Sequence, residues 1–345
     1  MGAAPPELAA VVVVGRLRER ASGCLRSLLD QGLGDRLEVV LVDCAGADAA
    51  PVPGSEDPRV RRLAAPPGTS FAGARALGTQ EVRAPVVAFV EEHARARPGW
   101  AAAILDAHRG PWTGIGCRME NANPGVGTSD IAGLLAYGYW YAPLAPGEVE
   151  FLPGHNATFK TEALRAFGDE LPLLLVSDLV LHARLRRAGH RLFVEPAATL
   201  AHLNETTLRS RGRGLFHWYR LFAWRRAAEQ DWSLPRRWLY VAAGPFVPLY
   251  FLAHFTPFIA RTRPAFLGLL LRHLPYVLVN YWAGAAGQAL GLLRGPGNAE
   301  ARFSDFEMHE PRPEASPPLA GEGAPRSRAL RRRARERDRE RRPAA

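Results

Sequence analysis

Two carboxylates and an imidazole stand together where an apolar run stops. In the stretch VVAFVEEHARARPGW, Val86 to Trp100, hydrophobic residues give way to Glu91, Glu92 and His93, and a Pro-Gly-Trp break follows. A strand that only needed solubilising could end in Lys or Ser. A carboxylate and an imidazole two residues apart are oxygen and nitrogen donors of the kind a divalent cation takes. Alternation along a strand turns Glu92 to the face opposite Glu91 and His93. A further carboxylate, Asp43, closes the run LEVVLVD. The plain alternative for each is an acid that caps the next turn. For Asp43 alone both readings stand; for Glu91 and His93 with Asp43 the site reading is preferred.

These residues need elements to position them. LAAVVVVG, LEVVLVDCAG and APVVAFVEEH read as strands rich in Val and Leu. ASGCLRSLLDQG places Leu25, Leu28 and Leu29 on one helical face before Gly32, SFAGARALGTQEV is a small-residue helix suited to close packing on a sheet, and GWAAAILDAHR is the next helix. The β-α-β-α-β order predicts an α/β fold, a mostly parallel sheet with helices on both faces. In open α/β sheets ligands sit beyond the carboxyl ends of strands, where Asp43 and the Glu91–His93 cluster both fall.

The rest of the chain changes character. Trp238 to Ala260 carries no Lys, Arg, Asp or Glu and is long enough to span a bilayer, with Pro245, Pro248 and Pro257 to kink it. A second apolar stretch, AFLGLLLRHLPYVLVNYWAGAAGQALGLL, holds Arg272 and His273 and reads as a bent interfacial helix. Trp238, Tyr240, Tyr281 and Trp282 stand where interfacial anchors do. FHWYRLFAWRR, Phe216 to Arg226, has the composition of a helix lying on a membrane surface. The alternative is a buried helical subdomain; membrane association is preferred. From about Gly295 the chain is rich in Pro, Gly, Glu and Arg and is expected to be largely disordered.

The 345 residues, 47% of them hydrophobic, suffice for one large α/β domain and an appendage. The net charge of +10 is concentrated in the tail RSRALRRRARERDRERR. That tail reads as a solvated segment or a contact for anionic lipid. No zinc knuckle or recognition-helix motif accompanies it, so nucleic acid is not the expected partner. Cys24, Cys44 and Cys117 have neither metal spacing nor an even count, which suits a reducing compartment. The apolar run Leu8 to Val14 has no basic residues before it and reads as a first strand, not a signal peptide.

In order and spacing the chain resembles the family 2 glycosyltransferases, which have the GT-A nucleotide-sugar-binding fold, over roughly Ala9 to Asn204. VVLVDCAG puts Asp43 where that family holds the nucleobase, with Cys44 and Ala45 departing from the usual run. GTSFAGARALG supplies the Ala74–Arg75 pair, and Glu91-x-His93 replaces the usual Asp-x-Asp metal motif ahead of a matching Pro-Gly-Trp. FLPGHNATFK, with Gly154, His155 and Asn156, resembles the acceptor-side segment. LVSDLVLHARLRRAGHRLFVEP resembles the helix that carries the catalytic base; Asp178 matches its second acid and Ser177 has lost the first. His202 in PAATLAHLN matches a histidine that some members use as a metal ligand.

The resemblance implies an inverting, metal-dependent glycosyltransferase at the cytoplasmic face of the cell membrane. It would move a sugar from a nucleotide-diphosphate sugar to a glycan or lipid-linked acceptor. The implied metal ligands are Glu91, His93 and His202, with Mn2+ favoured over Mg2+ because nitrogen donors suit it better. Asp178 is the implied general base, the alternative being a helix cap. Asp43, Arg75 and Glu91 are the implied donor side, although Arg75 is as well explained by pairing with an acid. His155 and Asn156 are the implied acceptor side, or merely a turn. RSRGRG, Arg209 to Gly214, reads as a flexible loop able to close over the diphosphate. The implied organisation is a catalytic domain over residues 1–214, a hydrophobic membrane-associating region over 215–296 and an Arg-rich disordered tail over 297–345. The competing reading is a catalytically degenerate module that binds nucleotide-sugar or glycan, or scaffolds partners, without turnover; the altered metal motif and Ser177 support it.

Overall fold

The computed structural model describes residues 5–46 and 48–314. The chain begins β1 (Leu8–Val14), α1 (Arg18–Leu29), β2 (Leu37–Asp43), β3 (Val60–Ala64), α2 (Phe71–Glu81), β4 (Val86–Phe89), β5 (Ala94–Ala96), α3 (Trp100–Ala107) and β6 (Gly114–Asn121). It continues with α4 (Ser129–Tyr137), β7 (Gly147–Val149), β8 (Ala157–Lys160), α5 (Thr161–Arg165), α6 (Leu171–Leu175), α7 (Asp178–Arg187) and β9 (Leu192–His202). A helical part follows: α8 (Leu208–Glu229), α9 (Leu234–Ala242), α10 (Val247–Thr262), α11 (Leu267–Arg272), α12 (Leu274–Arg294) and α13 (Ala299–His309).

Among the described residues the strands form one sheet in the order β3-β2-β1-β4-β8-β6-β9-β5, with β7 on β9. The β3-β2-β1-β4 half is parallel, as the β-α-β-α-β order predicts. Beyond it β8, β5 and β7 enter antiparallel, while β6 and β9 run parallel to each other. Every residue of β1 is buried. Leu8, Ala10, Val12 and Val14 face a core that includes Leu25 and Leu28 of α1 and Trp100 and Ile104 of α3. Ala9, Val11 and Val13 face the opposite core, with α2, α6 and α7. A strand covered on both faces has no polar side to show, which is why its sequence is an unbroken apolar run. On α2 the small residues allow close approach to the sheet: a Cβ at Gly78 would overlap the Val11 side chain.

The helical part differs from the sequence expectation in three places. RSRGRG is not a loop; it forms the opening turns of α8, whose N-cap Thr207 accepts from the Ser210 amide. FHWYRLFAWRR continues that helix, which packs on α12, and its Leu221 and Ala223 are buried. Glycines set the approach: a Cβ at Gly287 or Gly291 would overlap the carbonyl oxygen of Phe216 or Arg220. The third difference is α13, which lies in the stretch expected to be disordered. Its Phe303, Phe306 and Met308 enter the core beside α2 and α8, so an apolar stripe spaced for one helix turn outweighs the polar composition around it. The Arg-rich tail beyond residue 314 lies outside the described residues.

Among the described residues no single helix is long and apolar enough to cross a membrane; Leu234–Ala242 and Gly244–Thr262 meet that requirement only together, bent by 43°. The α9–α12 layer leaves Trp238, Leu239, Phe246, Leu249, Tyr250 and Trp282 exposed.

Candidate active site

Sheet register brings the candidate ligands together. β4 ends at Phe89, so Glu91 and His93 sit in the tight turn between β4 and β5 rather than in a strand. β5 pairs with β9 such that Ala94 lies opposite His202, which sets His93 beside His202. The backbone bond from Leu203 N to His93 O, at 3.0 Å, holds that contact. Glu92 does turn away, onto Arg20.

Glu91 is the hub. Its Oε1 accepts from His155 Nδ1 at 3.0 Å, and its Oε2 lies 3.1 Å from His202 Nε2 and 3.2 Å from the Tyr137 hydroxyl. Asn156 donates from Nδ2 to Oε2, and its Oδ1 accepts from the Glu91 amide at 3.1 Å. Burial alone would raise the Glu91 carboxyl, but the surrounding histidines hold it well below the usual carboxylate range. His202 Nδ1 donates to Asn204 Oδ1 at 2.9 Å, which fixes the tautomer and leaves the Nε2 lone pair facing Glu91 and His93. His93 Nε2 lies 3.0 Å from His202 Nε2 and 3.8 Å from Glu91 Oε1. Burial, and then the Arg312 guanidinium, push His93 well below its ordinary value, against the pull of Glu91. A carboxylate oxygen and two imidazole lone pairs therefore converge within 4.8 Å of one another. One carboxylate oxygen and two imidazole nitrogens are a donor set that suits a divalent metal such as Mn2+.

The candidate base is linked to this cluster through one side chain. His155 Nε2 reaches Asp178 Oδ2 at 3.1 Å while its Nδ1 holds Glu91, so both ring nitrogens face carboxylates. Burial opposes charge on His155, but Asp178 and Glu91 outweigh it and raise its pKa. Asp178 opens α7 but does not cap it; the N-cap is Ser177, whose side chain makes no capping bond. Burial alone would raise Asp178, yet Arg75 and His155 hold it below its usual value.

The remaining candidates are engaged by partners within the fold. Arg75 is 1% exposed, donates to Asp178 Oδ1 at 2.6 Å and to Leu175 O at 3.3 Å, and lies over the Phe89 ring. Both terminal nitrogens are engaged and the side chain is sealed from solvent, while the buried Nε has no partner; of its two sequence readings, the geometry here shows the pairing with an acid. Asn156, also 1% exposed, spends both ends of its amide on Glu91 and does not reach toward an acceptor. Asp43 lies two strands away from β4, where Arg18 Nη1 at 3.0 Å, Arg62 Nε at 2.8 Å and the Ala45 amide at 3.0 Å engage it.

A cavity of about 380 Å³ opens beside the cluster. Glu91, His155, Asp178 and His202 form its polar end. Trp140, Phe151, Trp218, Tyr219, Phe251 and Tyr281 form an aromatic wall built from the helical part and the segment around β7. Four further polar residues line it: Tyr137, Glu205 and Glu307, which carry no motif at the level of sequence, and Arg211 of RSRGRG, the partner of Glu205. Arg312 is a fifth, and all are brought there by packing between distant segments.

The architecture is a GT-A-like glycosyltransferase fold: a mostly parallel sheet, flanking helices and a polar cluster beyond the strand ends. No family profile matches the chain. It is 30% identical over 211 residues to the pre-mycofactocin glycosyltransferases of two Mycobacterium tuberculosis strains; the match takes in 58% of this chain and 44% of theirs. The chain thus spans less than half the length of these curated relatives. Its structure superposes on a mannosyltransferase from Pyrobaculum calidifontis, solved with GDP-Man and Mn2+, with a TM-score of 0.55 and 18% identity, covering 83% of this chain and 88% of that one. The sequence relatives and the structural neighbour are all glycosyltransferases.

Proposed function

We propose that the chain is a divalent-metal-dependent, inverting glycosyltransferase. It moves a sugar from a nucleotide-diphosphate sugar to a glycan or lipid-linked acceptor at the cytoplasmic membrane face. The observation that carries this is the convergence of Glu91, His93 and His202 on one point, with Asp178 tied to it through His155 on the same cavity. The Mn2+ and GDP-Man bound by the structural neighbour support it.

Glu91, His93 and His202 would hold the cation, with Mn2+ favoured over Mg2+ by the two nitrogen donors. When bound, such an ion disperses the charge that gathers on a diphosphate leaving group. Asp178, kept ionised by Arg75, accepts the proton of the acceptor hydroxyl as it attacks from the face opposite the diphosphate. His155 orients Glu91 and Asp178 together, and Asn156 and Tyr137 fix the second oxygen of Glu91. Asp43, at the end of β2, takes the nucleobase. The aromatic wall suits an acceptor with an apolar or planar body. The exposed apolar side chains of α9–α12 suit the interface of a bilayer, which would hold the acceptor near the cavity.

A degenerate, non-catalytic module is the second reading. Its support is that each Asp178 oxygen already has a partner, Arg75 on one and His155 on the other. Release of nucleoside diphosphate from a panel of nucleotide-sugars, with and without Mn2+ or Mg2+, separates the two. Turnover that needs the metal and is lost in Asp178→Asn supports the enzyme. Tight donor binding with no turnover across acceptors supports the module.

A further inference from the structure

The last described residues reach back into the cation site. Arg312 is 5% exposed, and its Nη1 contacts His93 Nε2 and lies 3.3 Å from His202 Nε2. The guanidinium therefore donates to the two lone pairs that a metal would use. Its other nitrogen, Nη2, lies 3.3 Å from Glu307 Oε2. Pro311 and Pro313 flank it, and a residue before proline is confined to extended conformations, so the segment offers Arg312 as a stiff finger.

The attachment of this finger is uneven. Its base, α13, is built into the core through Phe303 and Phe306, and Ser304 Oγ accepts from the Phe71 amide at 2.9 Å. The end is held differently. Glu310 pairs with Arg213 and Glu314 with Arg95, both half-exposed or exposed pairs of the kind that add little stability. Asn123 donates to Pro313 O at 3.0 Å, and Arg20 to Glu310 O at 2.6 Å. Withdrawal of the end would break these contacts and leave α13, with Glu307, in place. Glu307 then faces Glu91 and His155, with ligand atoms again within 4.8 Å of one another. Two buried carboxylates facing each other need a positive charge or a proton between them; burial, followed by the charge of Glu91, raises Glu307, and Arg312 opposes that.

We propose that Arg312 is an internal competitor for the divalent-cation site: the Pro311–Pro313 finger plugs Glu91, His93 and His202, and metal binding requires its withdrawal. The guanidinium and a metal cannot share the two imidazole lone pairs, so occupancy is exclusive. This rests on the cation site of the preceding reading and adds its regulation.

The test is Mn2+ binding to the full chain, read by electron paramagnetic resonance, together with amide hydrogen exchange of residues 299–314. Arg312→Ala is expected to tighten Mn2+ binding tenfold or more, and Arg213→Ala, which frees only the outer pair, by a smaller factor. Adding Glu91→Ala to Arg312→Ala should abolish binding. In the unsubstituted chain, Mn2+ should speed exchange at residues 310–314 and leave Phe303 to Phe306 protected; this arm needs no variant to fold. Equal Mn2+ affinity with and without Arg312, exchange indifferent to Mn2+, or no binding by any form each overturns the proposal. The outcomes are distinct from those for the enzyme: a chain that binds Mn2+ as described but turns over no donor keeps the competition and loses the activity. A chain with metal-dependent turnover whose Mn2+ affinity ignores Arg312 does the reverse.

Discussion

Arg75→Met tests how the candidate base is held. The methionine keeps the length and apolar body of the stem, so packing against Phe89 is largely preserved and the guanidinium is what is lost. Asp178 is left buried with His155 as its remaining charged partner, at 3.1 Å. Removing one partner of a buried ion pair costs about 3–5 kcal/mol, because the survivor keeps its desolvation penalty. The expected loss, read from urea unfolding followed by circular dichroism, is therefore about 3–5 kcal/mol. Asp178→Asn should also destabilise, by stranding Arg75. The Arg75→Met/Asp178→Asn double variant should recover part of the sum, with a coupling of about 2 kcal/mol or more. A second readout follows from the same geometry. With Arg75 gone, burial has one less opponent, so the Asp178 carboxyl rises. The acid limb of the transfer rate should move to higher pH in Arg75→Met. Strictly additive single-variant losses, or an acid limb that stays in place, would refute the account of Arg75 as the clamp of Asp178.

Asp43→Asn should weaken nucleotide binding at least tenfold by isothermal titration, since Arg18 and Arg62 then face a neutral amide and the end of β2 is remade; unchanged affinity removes Asp43 from the donor side. Gly287→Ala should cost about 1–3 kcal/mol in thermal unfolding, because its Cβ meets the Phe216 carbonyl and α12 cannot keep its seat on α8; a neutral result would mean that the α8–α12 contact is loose. His108 gives a pH signature. Burial pushes its pKa down to about 3 from 6.5, with Lys160 adding to it, so the folded state holds it neutral against Thr158. The unfolded chain takes up that proton below about 6.5 while the folded one does not, so its contribution is whole above pH 6.5 and is lost progressively as pH falls toward 3. Stability of His108→Gln should fall less between pH 7 and 4 than that of the unsubstituted chain; parallel curves would contradict the buried neutral histidine.

The fold and part of the site were legible because they are written locally. β1, β2 and β4 are unbroken apolar runs since both faces of the sheet are covered, and α2 is rich in small residues since it lies close upon β1. Asp43, Glu91 and His93 stand at the ends of such runs, where a parallel sheet exposes its carboxyl edge. The pairing of Glu91 with His202, some hundred positions apart, was implied by resemblance alone, and the β5–β9 register is what brings it about.

Other features had no local signal. Arg75 and Asn156 stand in stretches the resemblance singled out and Arg312 in none, and nothing nearby in the chain says whether a guanidinium meets solvent, phosphate or a buried carboxylate. Helix α13 was hidden by the Pro- and Arg-rich residues around it, although its two phenylalanines fill a gap between α2 and α8. The sequence by itself determined the strand-and-helix alternation, the apolar faces and the acids at the strand ends, because these depend on residues within one element. The tertiary structure alone decided that Arg75 clamps Asp178, that Asn156 serves Glu91 and that Arg312 lies on the two imidazoles. A charge acquires its role from the partner that replaces its water, and those partners arrive from segments far away in the chain.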